Sequence, residues 1–419
     1  MLKVLINAYA CSPDMGSEPG MGWNWCVNLA KRCELYIITE GEFRDKIEAE
    51  VPTLPQGKSM HFYYNPVSEE IRRMCWNQGD WRFYRYYRRW QKSTADIARR
   101  ICKDEKIDIL HQLNMIGFRE PGYLWQVSRE TGIPFVWGPV DAKESFPMSY
   151  ANGASLKTKL FLHLKNIITK CQLRHGRRVR EAAKIASLLL SASSNSVSSF
   201  KKFMAIDSPL MNETGTYPLN ESKEKIDDKQ TFDILWVGKM DFRKQLSLAI
   251  RSVAAANHQD IRLHIVGGGD TRSYLHEAET MGLADSCIVH GSVTHDEVLK
   301  LMRTSDLFLF TSVAEGTPHV VLEAIGCRLP VLCFDTCGQG DCVTDNVGIK
   351  IPLSNPQQSE KEFAEKIEYL YSHREVLAKM QANCVERAEE LSWENKSVKM
   401  VEHYYKIVDE RKIRVSDTL

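Results

Sequence analysis

The chain has 419 residues, of which 43% are hydrophobic and 26% charged, values that are ordinary for a globular protein and exclude disordered and fibrous classes. The length favours two or three domains. The net charge is +1, but residues 1–215 hold 31 Lys and Arg against 22 Asp and Glu, and the remainder has the opposite excess. A basic half of this kind is expected to face something anionic.

No apolar run approaches the ~20 residues of a membrane-spanning helix, and the first residues lack the regions of a signal peptide. The twelve cysteines include no CxxC pair, which structural zinc sites commonly use. We therefore expect a cytoplasmic protein with reduced, mostly buried thiols.

Short apolar runs alternate with longer amphipathic stretches, a pattern typical of parallel sheets covered by helices. Six runs in each half predict strands, so the fold class is α/β with two doubly wound units. The predicted strands are residues 3–8, 34–39, 61–64, 107–111, 134–137, 185–191, 233–237, 262–266, 288–290, 306–311, 330–334 and 348–351.

A polar stretch rich in Glu, Lys and Asp separates the two halves. It predicts an N-terminal domain over 1–212, a linker over 213–230 and a C-terminal domain over 231–391. Residues 392–419 have helical periodicity, with apolar or aromatic side chains at 393, 398, 401, 404, 405 and 408. That helix is long enough to pack across both domains.

A glycine-rich loop over 15–23 follows the first strand. It contains Gly16, Ser17 and Pro19 and does not match GxGxxG, so nicotinamide binding is not expected. Glycines here would let the backbone approach a ligand closely. A second glycine turn, Gly267-Gly268-Gly269, ends a strand of the second half.

Basic residues follow the first strand of the second half. Gly238 is succeeded by Lys239, Arg243 and Lys244, at the strand end where doubly wound units bind phosphates. The stretch is not a Walker loop, because the glycine-rich segment and the Lys-Ser/Thr pair are absent.

Residues 312–324 follow a strand and open a helix. Thr317 is a suitable N-cap and Pro318 a suitable first helical residue, and no capping-box side chain would occupy the free N–H groups. This helix end can receive an anion. Glu315 and Glu323 are separated by about 10 Å along the helix axis. This distance is too large for the two carboxylates to act as an acid/base pair on one bond. It fits two carboxylates that bind hydroxyls at opposite ends of one extended ligand.

Together, the Glu315–Glu323 spacing and the Gly238–Lys244 segment resemble the retaining nucleotide-sugar glycosyltransferases of family 4. Segments 11–13, 16–20, 117–122 and 137–140 are similar to a bacterial surface-polysaccharide subgroup of that family. The resemblance implies the GT-B fold, two Rossmann-like domains facing across a cleft. It also implies transfer from a nucleotide-diphosphate sugar to a saccharide or lipid-linked saccharide, with retention at the anomeric carbon.

The resemblance also implies residue roles. Glu323 would hold the donor ribose, Glu315 would contact the donor sugar, and Lys244 and Lys239 would neutralise the leaving diphosphate. The three residues expected to take part in catalysis are Glu315, Lys244 and Lys239. Further donor contacts are implied for Arg243, Gly316, Thr317, Pro318, His319, Gly16, Ser17 and Gly238.

The sequence departs from the family pattern at two positions. Lys239 stands where the family usually has Arg, which keeps the charge and loses bidentate geometry. Of the family's His-x-His pair, this chain has only the first histidine, His111. It is therefore a sugar contact or a core histidine, and Asn114 or Arg119 could replace the second histidine. No Asp-x-Asp motif occurs, so neither a metal nor a cofactor beyond the donor is expected.

Three other functions fit parts of the pattern. A sugar-nucleotide epimerase of the same fold would convert donor without acceptor, and a non-catalytic carbohydrate-binding scaffold would release no nucleotide. Nucleic-acid binding is suggested by the basic and aromatic residues of 82–90, but no nucleic-acid module is recognisable.

Residues 157–184 hold nine Lys or Arg against Glu181, with Leu160, Leu164, Ile167, Ile168 and Cys171 at helical spacing. This pattern, with a second basic stretch over 82–100, predicts peripheral binding to an anionic membrane surface. The alternative is that the apolar stripe packs on the first sheet and the charges are solvated.

Overall fold

The computed structural model describes residues 1–76, 82–143, 145–218 and 230–416. Most of the predicted linker, residues 219–229, lies outside the described residues. The chain divides into two compact units. The first comprises the described residues of 1–144, 170–214 and 393–419, and the second those of 145–169 and 215–392.

The first unit contains a six-stranded parallel sheet in the order β3-β2-β1-β4-β5-β6. All six predicted strands are present, with ends that differ by at most three residues from the prediction. They are β1 (Leu2–Ala8), β2 (Cys33–Thr39), β3 (Met60–Tyr64), β4 (Ile109–Asn114), β5 (Phe135–Val140) and β6 (Leu188–Ser191).

The second unit repeats this arrangement with the order β12-β11-β10-β7-β8-β9, and all pairs are parallel. Its strand ends differ from the prediction by at most one residue. They are β7 (Phe232–Val237), β8 (Ile261–Val266), β9 (Cys287–Gly291), β10 (Leu307–Phe310), β11 (Val331–Phe334) and β12 (Gly348–Ile351).

Within the described ranges, sixteen α-helices accompany the strands. They are α1 (Ser17–Leu29), α2 (Arg44–Glu50), α3 (Glu69–Trp76), α4 (Phe83–Asp104), α5 (Leu124–Thr131), α6 (Leu156–His175), α7 (Arg177–Ile185), α8 (Ser194–Met204), α9 (Leu246–Ala256), α10 (Arg272–Thr280), α11 (His295–Thr304), α12 (His319–Gly326), α13 (Cys337–Cys342), α14 (Pro356–Ser372), α15 (Arg374–Glu390) and α16 (Trp393–Ser416).

Both faces of each sheet are covered, which explains why the strands are continuous apolar runs. Val4 and Ile6 of β1 pack in one cluster with Trp25 of α1 and Tyr404 of α16, whereas Leu5 packs in a cluster on the other face. Because alternate side chains of a strand point to opposite faces, each strand contributes to two cores. The fold is therefore the predicted pair of doubly wound α/β units.

Residues of 145–169 group with the second unit, although the sequence analysis placed them with the first. Tyr150 is buried, and its hydroxyl lies 2.7 Å from Ser359 Oγ. The backbone carbonyl of Tyr150 accepts a hydrogen bond from Gln245 Nε2 at 2.8 Å. The Phe146 ring lies 5.7 Å from that of Phe242. These contacts join residues distant in sequence, which local patterns do not reveal.

Helix α16 belongs to the first unit. Trp393 packs edge-on against Trp25 at 5.7 Å, and Glu394 forms an ion pair with Lys31 at 2.8 Å. The predicted apolar face is corrected at one position, because Tyr405 is exposed. No disulfide joins any of the twelve cysteines, all of which lie in the described residues.

Candidate functional site

The order of the second sheet reverses between β7 and β10. Strands β8 and β9 extend from β7 on one side, and β11 and β12 extend from β10 on the other. In open α/β sheets, ligands bind outside the carboxyl ends of the strands at such a reversal. The loops that follow β7 and β10, residues 238–245 and 311–318, are the two that the sequence analysis selected.

Hydrogen bonds fix these two loops to each other. Val313 N donates to Arg243 O at 3.0 Å, and Thr311 Oγ1 donates to Lys244 O at 2.8 Å. The same hydroxyl accepts from the buried Trp236 indole at 3.1 Å. The backbone at 243–244 is therefore held against 311–313, and this positions the side chains that project from both loops.

Lys244 and Glu315 form an ion pair at this edge, with Nζ 2.5 Å from Oε1. Their side chains are 21% and 19% exposed, so both are partly withdrawn from water and still reachable by a ligand. Ser312 Oγ donates to the same Glu315 oxygen at 2.5 Å. The sequence analysis assigned both residues to one ligand but did not foresee that they pair with each other.

The other basic residues of the β7 loop differ in their surroundings. Arg243 Nη2 lies 2.7 Å from Asp241 Oδ2, and this hydrogen bond raises the pKa of Arg243. Lys239 is exposed. Gly238 packs against Gly267, which lies in the turn after β8 and has a φ of +141°. A Cβ atom added to Gly267 would lie 1.8 Å from the carbonyl oxygen of Gly238. Glycine is required there for close packing of the two turns.

Helix α12 begins one residue later than predicted. Pro318 occupies the N-cap position instead of Thr317, and the first helical residue is His319. As the N-cap residue, Pro318 makes no side-chain hydrogen bond to this end, so the expected Thr317 cap is replaced by a residue without a polar side chain. Thr317 and Pro318 are buried, whereas Gly316 and His319 are partly exposed, and burial lowers the pKa of His319.

A segment that the sequence analysis did not select supports this loop from the neighbouring strand. Gln339 Nε2 donates to Ser312 O at 3.0 Å, and Gly338 N donates to Gly316 O at 2.9 Å. A Cβ at Gly338 would lie 2.4 Å from Thr317 Oγ1. The signal available in the sequence was that these residues follow β11, the neighbour of β10.

Glu323 lies in the second turn of α12 with its side chain 29% exposed. Its Oε1 lies 3.0 Å from Nε2 of His295, the first residue of α11. This hydrogen bond raises the pKa of His295. The sequence analysis did not identify His295 as a partner, because 27 residues separate it from Glu323.

The first unit has its own reversal point between β1 and β4. Gly16 is the N-cap of α1, and Ser17 follows it with φ +56°. A Cβ at Gly20 would lie 1.8 Å from Met15 O. That glycine accommodates the chain's own backbone, whereas the sequence analysis expected close approach to a ligand.

Glu18 is a residue of this loop that the sequence analysis did not single out. Its Oε1 accepts from Ile116 N at 2.9 Å, and the side chain is half-buried. Burial, with a contribution from Glu213, raises the pKa of Glu18 to about 7.

His111 and Asn114 are buried in the first unit. The ring of His111 lies 2.6 Å from both Tyr404 OH and Gly138 O, and burial lowers its pKa to about 4. Asn114 Nδ2 donates to Ala10 O at 2.7 Å. These bonds use both His111 nitrogens, so we retain the core alternative for His111 rather than a ligand contact. Arg119 Nε donates to Gln172 Oε1 at 2.8 Å.

Among the residues that the structure describes, no group of three or more His, Cys, Asp or Glu side chains is arranged to hold a metal ion. In the same part of the chain, no helix is long and apolar enough to cross a membrane.

Comparison with known proteins gives matches to glycosyltransferases. Residues 219–391 match the family model described as glycosyl transferases group 1. The chain is 27% identical over 242 residues to TuaC of Bacillus subtilis (strain 168), a glycosyltransferase assigned to teichuronic acid biosynthesis, covering 55% of this chain and 58% of TuaC. It is 31% identical over 144 residues to the lipopolysaccharide glucosyltransferase WaaG of Escherichia coli (strain K12), covering 33% and 38%. The chain thus matches less than two thirds of either relative's length.

The fold comparison extends over nearly the whole chain. The crystal structure of Anabaena HepE in complex with UDP aligns with a TM-score of 0.62 at 15% identity, covering 97% of this chain and 100% of HepE. This similarity establishes the fold, which is that of the GT-B glycosyltransferases.

Proposed function

We propose that the protein transfers a sugar from a nucleotide-diphosphate donor to a saccharide acceptor, starting from the match of residues 219–391 to the family model of glycosyl transferases group 1. The observation that carries the proposal is the Lys244–Glu315 pair at the reversal point of the second sheet. It lies in the region that matches the family model, on the loops that border the N-terminal end of α12.

The pair suggests how a donor would be received. A diphosphate carries more negative charge than a single carboxylate, so it would attract the Lys244 ammonium away from Glu315. Glu315 would then accept hydrogen bonds from sugar hydroxyls, held in place by Ser312. The N-terminal end of α12, which carries the positive end of the helix dipole, would face the diphosphate. Donor binding would thus exchange an internal ion pair for two contacts to the donor.

We propose that the transfer proceeds with retention. The bond between the anomeric carbon and the diphosphate oxygen breaks while the acceptor hydroxyl oxygen bonds to the same face of the sugar, and the hydroxyl proton passes to the leaving diphosphate oxygen. Negative charge grows on the leaving diphosphate, and Lys244, Lys239 and the α12 amides would stabilise it. Fixed charges aimed at developing charge are usually the largest catalytic contribution. Because these groups supply positive charge, the proposed reaction requires no metal.

Glu323 would hold the donor ribose by its hydroxyls. In the structure this carboxylate is already hydrogen-bonded to His295, so the ribose would displace the imidazole. The relatives bear on substrate only by analogy. HepE was crystallised with UDP, and WaaG and TuaC are named for surface polysaccharides. We therefore propose a uridine diphosphate sugar as donor, a surface-polysaccharide intermediate, free or lipid-linked, as acceptor, and a cytoplasmic site of action.

The test is a panel of nucleotide sugars assayed for binding by thermal shift, and for nucleotide release with and without saccharide acceptors. Each assay is repeated with EDTA. Stabilisation by one donor class and acceptor-dependent nucleotide release that survives EDTA would support the proposal. Conversion of donor in the absence of acceptor would indicate an epimerase, and sugar binding without nucleotide release would indicate a scaffold.

A further inference from the structure

Helix α6 has two apolar faces, and only one of them is covered. The inward face contains Leu162, Thr169 and Leu173, which are at most 7% exposed. The other face carries six large apolar side chains that are each at least 50% exposed. They are Leu156, Leu160, Phe161, Leu164, Ile167 and Ile168, with exposures of 85%, 63%, 62%, 50%, 55% and 52%.

These six side chains form one continuous strip. At about 100° per residue they fall within an arc of about 140°. Lys165 lies about 40° beyond one edge of the arc and Lys170 about 40° beyond the other. Both lysines are exposed, as are Lys157 and Arg174 near the two ends of the helix. We call this arc with its four cations the α6 face.

The charge around the α6 face has a single sign. Residues 145–180, all of which the structure describes, include eight Lys or Arg and no Asp or Glu. Soluble proteins rarely expose a contiguous apolar patch of this kind unless it binds something. The occupant must therefore offer an apolar interior and a negative surface.

We propose that the α6 face docks on an anionic lipid bilayer. An amphipathic helix that lies in the bilayer interface buries one apolar face and places Lys and Arg at its edges. Lysine stems can run along apolar surface while their ammonium groups reach the headgroups. A protein partner would need an acidic rim around an apolar groove, whereas an anionic leaflet supplies both properties along the whole helix.

This inference corrects one element of the sequence analysis. The alternative in which the whole apolar stripe packs on the first sheet does not hold, because the six residues are exposed. The basic residues of this part of the chain also differ in whether a membrane surface could contact them. Arg178 lies 2.6 Å from the buried Glu120 and donates to Gly122 O, so it is part of the interior network and not of the α6 face.

The test measures co-sedimentation of the full chain with vesicles, without donor or acceptor, so its outcome is independent of the proposed transferase activity. Vesicles of phosphatidylcholine with phosphatidylglycerol are compared with phosphatidylcholine alone, at low and high salt. One variant combines Lys157→Gln, Lys165→Gln, Lys170→Gln and Arg174→Gln. A second combines Leu160→Gln, Leu164→Gln and Ile168→Gln.

Matched controls carry the same kinds of change on exposed residues elsewhere. Four lysines of the second unit, Lys300, Lys361, Lys366 and Lys379, are changed to Gln in one control. Val385→Gln and Tyr405→Gln form the apolar control, since both side chains are more than 40% exposed. Thermal unfolding verifies that every variant is folded, which is expected because all substituted side chains are at the surface.

We expect the wild-type chain and both controls to pellet with anionic vesicles at low salt and to be released at high salt. Each α6 variant should lose at least about tenfold in vesicle partitioning. Failure of the wild type to pellet at low salt, or equal pelleting of the α6 variants, overturns the proposal. A wild-type dimer, detected by light scattering, that the apolar variant dissociates and that binds no vesicles would assign the face to a second copy instead.

Discussion

The two units share one strand order but differ at the carboxyl ends of their central strands. In the second unit, the side chains there are charged and partly exposed, and Lys244 and Glu315 form an ion pair. In the first unit, His111 and Asn114 of β4, the strand that corresponds to β10, are buried and hydrogen-bonded to the protein itself. The same topology thus carries charged, partly exposed side chains in one unit and a buried polar network in the other.

The largest expected effect tests the second unit. Lys244→Ala and Glu323→Ala should each lower kcat/KM for the donor by roughly 10- to 150-fold, because a charge-assisted contact contributes about 1.5–3 kcal/mol. Steady-state kinetics measures the loss. Lys300→Ala, an exposed lysine outside the site, is the control. Near-wild-type kinetics for both site variants would remove these residues from the proposed donor site.

The next effect tests the first unit. His111→Gln should lower the free energy of unfolding by about 2–3 kcal/mol, since it leaves buried partners unsatisfied, while the folded fraction keeps its donor affinity. Denaturant titration and donor binding provide the two readouts. Loss of donor affinity without loss of stability would instead make His111 a ligand contact.

The pH dependence of stability sharpens the same comparison. His111 has a folded pKa of about 4, below its ordinary value of 6.5. As the pH falls, the unfolded chain binds the proton before the folded chain does. The contribution of His111 to the free energy of unfolding is therefore fully present above pH 6.5 and is lost as the pH falls toward 4. The loss amounts to at most about 1.4 kcal/mol per pH unit. The difference between wild type and His111→Gln should show this slope. Glu18, whose raised pKa gives the opposite slope, is present in both proteins and largely cancels.

A smaller effect concerns His295 and Glu323. Protonated His295 holds Glu323 more strongly, so the KM for the donor should rise as the pH falls through the raised pKa of His295. Because His295 is largely exposed, the change should not exceed about fivefold. His295→Gln should flatten the profile. A wild-type profile that is unchanged in the variant would show that the imidazole does not compete with the ribose.

The smallest effect is expected at Lys239. Lys239→Arg keeps the charge and adds bidentate geometry, so donor kinetics should stay within about threefold of wild type or improve. Lys239→Ala, measured alongside, should be worse than Lys239→Arg. Equal kinetics for all three proteins would place this exposed residue outside the diphosphate site.

The sequence by itself determined the strands and the candidate loops. Continuous apolar runs between turn residues require strands covered on both faces, and all twelve appear within three residues of their predicted ends. The Glu315–Glu323 spacing and the basic residues after β7 predicted that these two loops form a site, and the structure brings the loops together at one edge of the sheet. The strand predictions succeeded because they rest on local periodicity, whereas the assignment of a ligand to these loops stays a prediction.

Only the tertiary structure decided which side chains meet and which faces stay exposed. The Lys244–Glu315 pair joins residues 71 positions apart, and the Glu323–His295 bond also joins different elements. His111 became a core residue because Tyr404, from the distant α16, reaches its ring. In α6, the sequence shows apolar residues on most of the circumference, and helical periodicity cannot tell which arc faces the core. That choice depends on what the rest of the chain packs against the helix.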